Sequence, residues 1–159
     1  YLELQVAAVF TDDQPTLITH ISSGSGETWC ELVTYDTDEK GQVLEEPIQK
    51  DVCGVATTPG GVFEFYRRYE GNRATPLGGM YNPVYFNYGI AVYGAVNVPV
   101  MPASHGGIRI PISIAEYFPT LVKNGDSVYV WDGETEPEEQ TREAMTPMFN
   151  YPNPDSTLG

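Results

Sequence analysis

Along the first ten positions Leu2, Leu4 and Val6 alternate with Glu3 and Gln5, and residues 7–10 are continuously apolar. Period-two alternation predicts a β-strand over residues 1–10. Thr11-Asp12-Asp13-Gln14-Pro15 reads as a turn, because aspartates bond local backbone and proline presets φ. Residues 16–21 then form a second strand, which makes a hairpin. Ser22-Ser23-Gly24-Ser25-Gly26 ends it. Residues 29–35 read as a third strand, and residues 36–51, crowded with Asp36, Asp38, Glu39, Glu45, Glu46 and Asp51, as a polar insertion, a solvated loop. Pro59-Gly60-Gly61 is a turn into a short β-prone run over residues 62–66. Residues 90–94 form a further apolar run.

The period then changes. Ser113 and Glu116 stand at capping-box spacing. Ile114, Phe118, Leu121 and Val122 follow at i, i+4, i+7 and i+8, one apolar helix face. This predicts a short helix over about 113–122, bent or cut short by Pro119. Asn124-Gly125 stops it, and residues 127–131 form a closing strand. Residues 134–159 are different: acidic at first, then rich in proline and polar residues, a composition that predicts disorder. Met145, Met148, Phe149 and Tyr151 would let this tail dock on the domain or on a neighbouring copy. The expected organisation is a mostly-β domain over residues 1–133 with a tail or docking arm over 134–159.

Composition sharpens this picture. The 159 residues suit one domain with a single core, and 11 Tyr, 13 Pro and 16 Gly suit short strands joined by many turns. Twenty-two acidic against 8 basic side chains give a formal charge of -14, which disfavours nucleic acid as a partner. No apolar run approaches the roughly 18 residues of a membrane span. The sequence starts at Tyr1, as a processed mature protein or a fragment would. Cys30 and Cys53, in a Tyr-rich, Lys-poor chain, point to one disulfide in an exported protein; two buried thiols are the alternative. Their pairing would tie together the ends of the polar insertion and stabilise the fold by about 3 kcal/mol.

Few residues offer recognisable chemistry. Asp36-x-Asp38 with Gly41 faintly resembles a calcium loop, but Lys40 and Pro47 occupy ligand positions. The Gly-Ser run lacks the lysine and following helix of a phosphate loop. His20 and His105 are too few for zinc, so no metal or cofactor is expected. Ser104 and His105 are adjacent, and on extended backbone their side chains diverge, which disfavours a dyad. Arg67, Arg68 and Arg73 form the one basic concentration. Pairing with the acidic loops is the ordinary use of such a cluster, and a carboxylate-binding patch the functional one.

The run from Tyr93 to Pro111 resembles the signature of the L,D-transpeptidase (YkuD-type) domains, which remodel bacterial peptidoglycan. There an upstream His-Gly is followed by Ser-His-Gly-Cys and a hydrophobic-Arg or hydrophobic-Asn pair. Ser104, His105, Gly106, Ile108 and Arg109 match. Gly107 stands at the cysteine position and Tyr93 at the upstream histidine position. Thr58-Pro59-Gly60-Gly61-Val62-Phe63 is similar to the family's Thr-Pro-x-Gly-x-Phe. Leu77-Gly78-Gly79-Met80-Tyr81-Asn82-Pro83-Val84-Tyr85-Phe86 is similar to the run before its histidine strand. The resemblance spans about residues 1–133, with specific motifs in 55–65, 77–94 and 102–111. It implies a β-sandwich of two packed sheets with one short helix.

The family reaction needs a thiolate with an imidazole beside it. Gly107 has no side chain, and the Tyr93 phenol, with an ordinary pKa near 10, is a poor base. The resemblance therefore implies a catalytically inactive envelope domain, extracytoplasmic and bacterial. It would bind a peptidoglycan stem peptide or an envelope protein through Arg109, Arg67, Arg68 and Arg73, with Tyr85 and Tyr93 in an aromatic wall formed with Tyr81, Phe86 and Tyr88. Alternatives are an assembly subunit of a surface layer or filament, joined as a homo-oligomer through residues 134–159, and an active transpeptidase with a relocated nucleophile.

Overall fold

In a computed structural model, residues 1–37, 42–75 and 78–148 are described. Strands β1 (Val6–Thr11) and β2 (Gln14–His20) pair antiparallel as the predicted hairpin. Its tip carries Asp12 and Asp13 at φ 51° and 63°. Two left-handed residues in sequence give a turn whose twist matches that of the flanking strands. The first strand starts later than the alternation predicts: residues 2–5 turn, and Gln5 sits at φ 52° with only 8% exposure. The reason is local. Gln5 Nε2 donates to Leu2 O at 2.7 Å and to Ser23 Oγ at 2.8 Å, so its amide points inward where period two pointed it out.

Strand β3 (Thr28–Thr37) pairs antiparallel with β4 (Val43–Val55) in a long ribbon. The expected loop over residues 36–51 is corrected here, since residues 43–51 belong to β4. The ribbon buries a small cluster, Val33 and Val52 with Trp29 and Tyr35 against them, and leaves most of β4 in water. A strand wet on both faces does not show the alternation of a half-buried one. Residues 38–41, which include the calcium-loop positions Asp38, Lys40 and Gly41, lie outside the described residues. Cys30 and Cys53 are directly opposed across the ribbon and form the expected disulfide, with Cα atoms 4.1 Å apart.

The chain continues through β5 (Gly61–Glu64), β6 (Arg67–Arg68), β7 (Asn72–Thr75), β8 (Gly78–Asn87), β9 (Ile90–Ala95) and β10 (Ile108–Pro111). Strands β10-β9-β8-β6 form the main sheet, with β7 also on β8. Two helical turns follow, α1 (Ile112–Ala115) and α2 (Phe118–Leu121), and then β11 (Ser127–Val130), antiparallel to β5. The helix prediction needs correction at its start. The N-cap is Pro111, so Ser113 lies inside α1 and no capping box forms. Pro119, near the start of α2, divides the element as expected. Ile114, Phe118, Leu121 and Val122 all join the main core, as their spacing predicts.

That core lies between two layers. Val84, Phe86, Ile90, Val92, Ile108 and Ile110 project from the main sheet. Phe63 and Val130 face them from β5 and β11, and Ala7, Val9 and Leu17 from the hairpin. Each large side chain so buried contributes about 1.5–3 kcal/mol. The result is a mostly-β sandwich, with the second layer built from separate strand pairs. Residues 134–148 lie against it. Asn87 Nδ2 donates to Met145 O at 2.7 Å, and Val55 N to Met148 O at 3.0 Å. Met145 covers Gly61, where an added Cβ would come within 2.6 Å of the methionine Cγ. Asp132 accepts from the backbone N–H of Thr135 and of Glu134 and from Gln140, which hold its carboxyl below the ordinary aspartate value. Phe149 and Tyr151 lie outside the described residues.

Candidate functional site

Strands β9 and β10 run parallel, so the chain must cross over between them. Such a crossover takes about a dozen residues and is usually helical. Here it is the loop of residues 96–107, which carries Ser104, His105, Gly106 and Gly107. In place of a helix, the Ser-Gly run after β2 supports it. Ser22 bridges Arg109 and Gly24 bridges Ser104. The backbone N–H groups of Ala103 and Ser104 both donate to Ser23 O at 2.9 Å, and Ser25 N donates to Ser104 O at 3.0 Å. Ser22 Oγ donates to Met101 O at 2.7 Å. Thr58 Oγ1 accepts from Gly24 N at 2.9 Å and donates to Gly106 O at 2.5 Å. Gly24 permits this approach, since a Cβ there would lie 2.2 Å from Ala56 O.

Ser104 is buried at 2% exposure, donating from Oγ to Gly107 O at 2.6 Å and accepting from Gly106 N at 3.0 Å. It shapes the turn. His105 points elsewhere: Nε2 lies 2.7 Å from Glu31 Oε1, and the ring meets Trp29 edge to face at 4.8 Å. The two side chains take separate partners, so they form no dyad. This contact ties the crossover to the β3–β4 ribbon. The signal for Glu31 and Trp29 lay only in their place on a strand beside Cys30. Their proximity to His105 is long-range and had no local signature.

Tyr93 and Gly107 come together. A Cβ built on Gly107 would lie 2.7 Å from Tyr93 Cε1, so the phenol ring occupies the room a side chain at 107 would need. Arg109 is the register partner of Tyr93. Its Nε donates to Tyr93 Oη at 3.3 Å, and its terminal nitrogens reach the carbonyls of Asn97 and Ala103 at 3.4 and 3.5 Å. The neighbour of the phenol oxygen is thus a cationic donor rather than a base.

The same sheet face continues outward from Tyr93. Met80, Tyr85 and Ala91 cluster with it. Arg67 is the register partner of Tyr85, and its guanidinium stacks 4.2 Å from that ring's centroid. Arg73 Nη1 donates to Tyr85 Oη at 2.6 Å. Arg67, Arg73 and Arg109 therefore share one face with two tyrosine hydroxyls. Arg68, next in sequence, alternates away: it donates to Pro119 O, Val122 O and Asn124 Oδ1 at 2.7, 3.0 and 3.2 Å. It caps the end of α2 instead of joining the group. Among the described residues no cluster of three or more His, Cys, Asp or Glu could hold a metal ion.

No protein-family profile matches the chain, and no curated protein matches it. Among solved structures it is similar to the crystal structure of the L,D-transpeptidase from Xylanimonas cellulosilytica DSM 15894, at 30% identity with a TM-score of 0.61 over 82% of this chain. The chain spans 57% of that structure's length. This similarity makes the mostly-β sandwich an L,D-transpeptidase-like fold.

Proposed function

We propose that this is a non-catalytic, extracytoplasmic L,D-transpeptidase-like domain. It binds a carboxylate-bearing peptide, of the peptidoglycan stem class, on the sheet face of Arg67, Arg73 and Arg109. The observation that carries the reading is the Tyr93 ring lying over Gly107. The position that would present a nucleophile has no side chain, and the Tyr93 ring lies where one would project. The nearest phenol is held by a guanidinium, which cannot accept its proton. Three guanidiniums on one face of a chain with net charge -14 support an anionic ligand, because arginine forks match carboxylates in bidentate geometry. The disulfide fits an oxidising compartment, and no helix among the described residues is long and apolar enough to cross a membrane.

Titration with purified muropeptides tests the binding, and intact mass after incubation with a carbapenem tests the absence of a nucleophile. Saturable binding weakened about tenfold by Arg109→Ala is expected, since a charged hydrogen bond is worth about 1.5 kcal/mol or more. No mass adduct should form. An adduct, or no binding at millimolar ligand, overturns the reading.

A further inference from the structure

Cys30 and Cys53 are the register partners that bridge β3 and β4, and Cys30 is exposed. Both chain neighbours of Cys30 reach one residue of the crossover. Glu31 Oε1 lies 2.7 Å from His105 Nε2, and the Trp29 ring meets the imidazole edge to face at 4.8 Å. Alternation along β3 puts these two side chains on the face opposite the bridge, with the cluster of Val33 and Val52. Three consecutive residues of one strand therefore hold both the bridge and the imidazole. The crossover in turn places the carbonyls of Asn97 and Ala103, which take the terminal nitrogens of Arg109. At its base the ribbon has other anchors: Ala56 N donates to Glu27 O at 2.9 Å, and Gly26 N to Ala56 O at 2.8 Å.

An exposed disulfide is open to thiol exchange, whereas a buried one is protected. A two-stranded ribbon with so small a core is marginal without its crosslink. We infer that Cys30–Cys53 is a redox switch for the crossover: oxidised, the ribbon clamps His105; reduced by a dithiol, it lets the imidazole go. The reducing thiolate attacks Cys30 Sγ, the S–S bond breaks, and Cys53 leaves as a thiolate. The reductant's second sulfur then displaces Cys30 from the mixed disulfide. The reductant ends as its own disulfide and its two protons end on the two cysteines, a two-electron reduction of the bridge. Because the anchors between Glu27, Gly26 and Ala56 remain, the release stays within the ribbon and the loop of residues 96–107. The clamp rests on its own contacts; only its effect on ligand binding rests on the reading of the Arg-lined face.

The test is titration of the whole chain with dithiothreitol. Carbamidomethylation and intact mass count the thiols, circular dichroism follows the fold, and NMR follows the imidazoles. Reduction is expected to free both thiols while the fold persists, and to shift His105 while His20 stays unmoved. Amide exchange in residues 103–107 should rise about tenfold, from the loss of one partly exposed ion pair and one ring contact. Cys30→Ser with Cys53→Ser should show the reduced-state imidazole with or without dithiol. Trp29→Ala with Glu31→Ala should show it with the bridge intact, and reduction should then move His105 no further. Muropeptide affinity should weaken on reduction; no binding in either state counts against the ligand reading, while the His105 signal still decides the clamp. Three results would overturn the switch: no thiols until the fold is lost, an unmoved His105 in the reduced chain, or a further His105 shift on reducing the Trp29 and Glu31 double variant.

Discussion

The main sheet and the β3–β4 ribbon are both antiparallel β-structure for most of their length, yet they are held by different forces. In the main sheet Ile110 and Val84 are 1% and 0% exposed, and the core on its inner face is continuous. The ribbon leaves Leu32 63% and Val43 82% exposed and buries only a four-residue cluster. Its compensation is covalent, the Cys30–Cys53 bridge across directly opposed residues. An isolated two-stranded ribbon is marginal in water, so a crosslink or a docking contact has to supply what a core supplies elsewhere. The His105–Glu31 contact is where the two regions meet, and it places the crossover loop under the influence of both.

The contrast is sharpest for aliphatic truncation. Ile110→Ala is expected to cost about 4 kcal/mol and Leu32→Ala no more than about 0.5 kcal/mol, measured by denaturant unfolding. Comparable losses would mean that the ribbon carries a core of its own. The next effect is covalent. Cys30→Ser with Cys53→Ser should remove about 3 kcal/mol. Hydrogen exchange should show that loss in residues 28–37 and 43–55, with β8 and β9 still protected. Uniform deprotection would make the ribbon part of one cooperative unit.

At the site, Gly107→Cys should cost about 1–3 kcal/mol by overpacking against the Tyr93 ring. A double-mutant cycle with Tyr93→Ala should recover about 1 kcal/mol of that loss as coupling. Strict additivity would remove the ring from the space above residue 107. The smallest effect belongs to the junction. Glu31→Ala should cost about 0.5 kcal/mol, because both partners are a third or more exposed. Its signature is increased mobility of His105 in imidazole NMR; an unchanged ring would detach the crossover from the ribbon.

Much of the fold was readable because its causes are local. The hairpin follows from alternation around Asp12 and Asp13, the apolar helix face from its spacing, and the division of the helix from Pro119. Errors arose where a residue answered to a distant partner. Gln5 lies on an alternating run but turns inward to Ser23, and β4 lacks alternation because neither of its faces meets the core. Arg67 and Arg68 look equivalent in sequence. Pleat alternation sends one to Tyr85 and the other to the carbonyls at the end of α2.

From composition and short-range pattern alone came the β class, the pair of cysteines and the acidic balance, and the family resemblance added that positions 93 and 107 hold neither an imidazole nor a thiol. Those are properties of residue identity and near-neighbour spacing, which the chain carries before it folds. Only the folded molecule decided that the Tyr93 ring fills the room above Gly107, that Arg109 joins Arg67 and Arg73 on one face, and that Ser22–Gly24 support the crossover. Each of these joins segments far apart in sequence through strand register. Register is chosen by burial of the whole sheet, which no single stretch of sequence encodes.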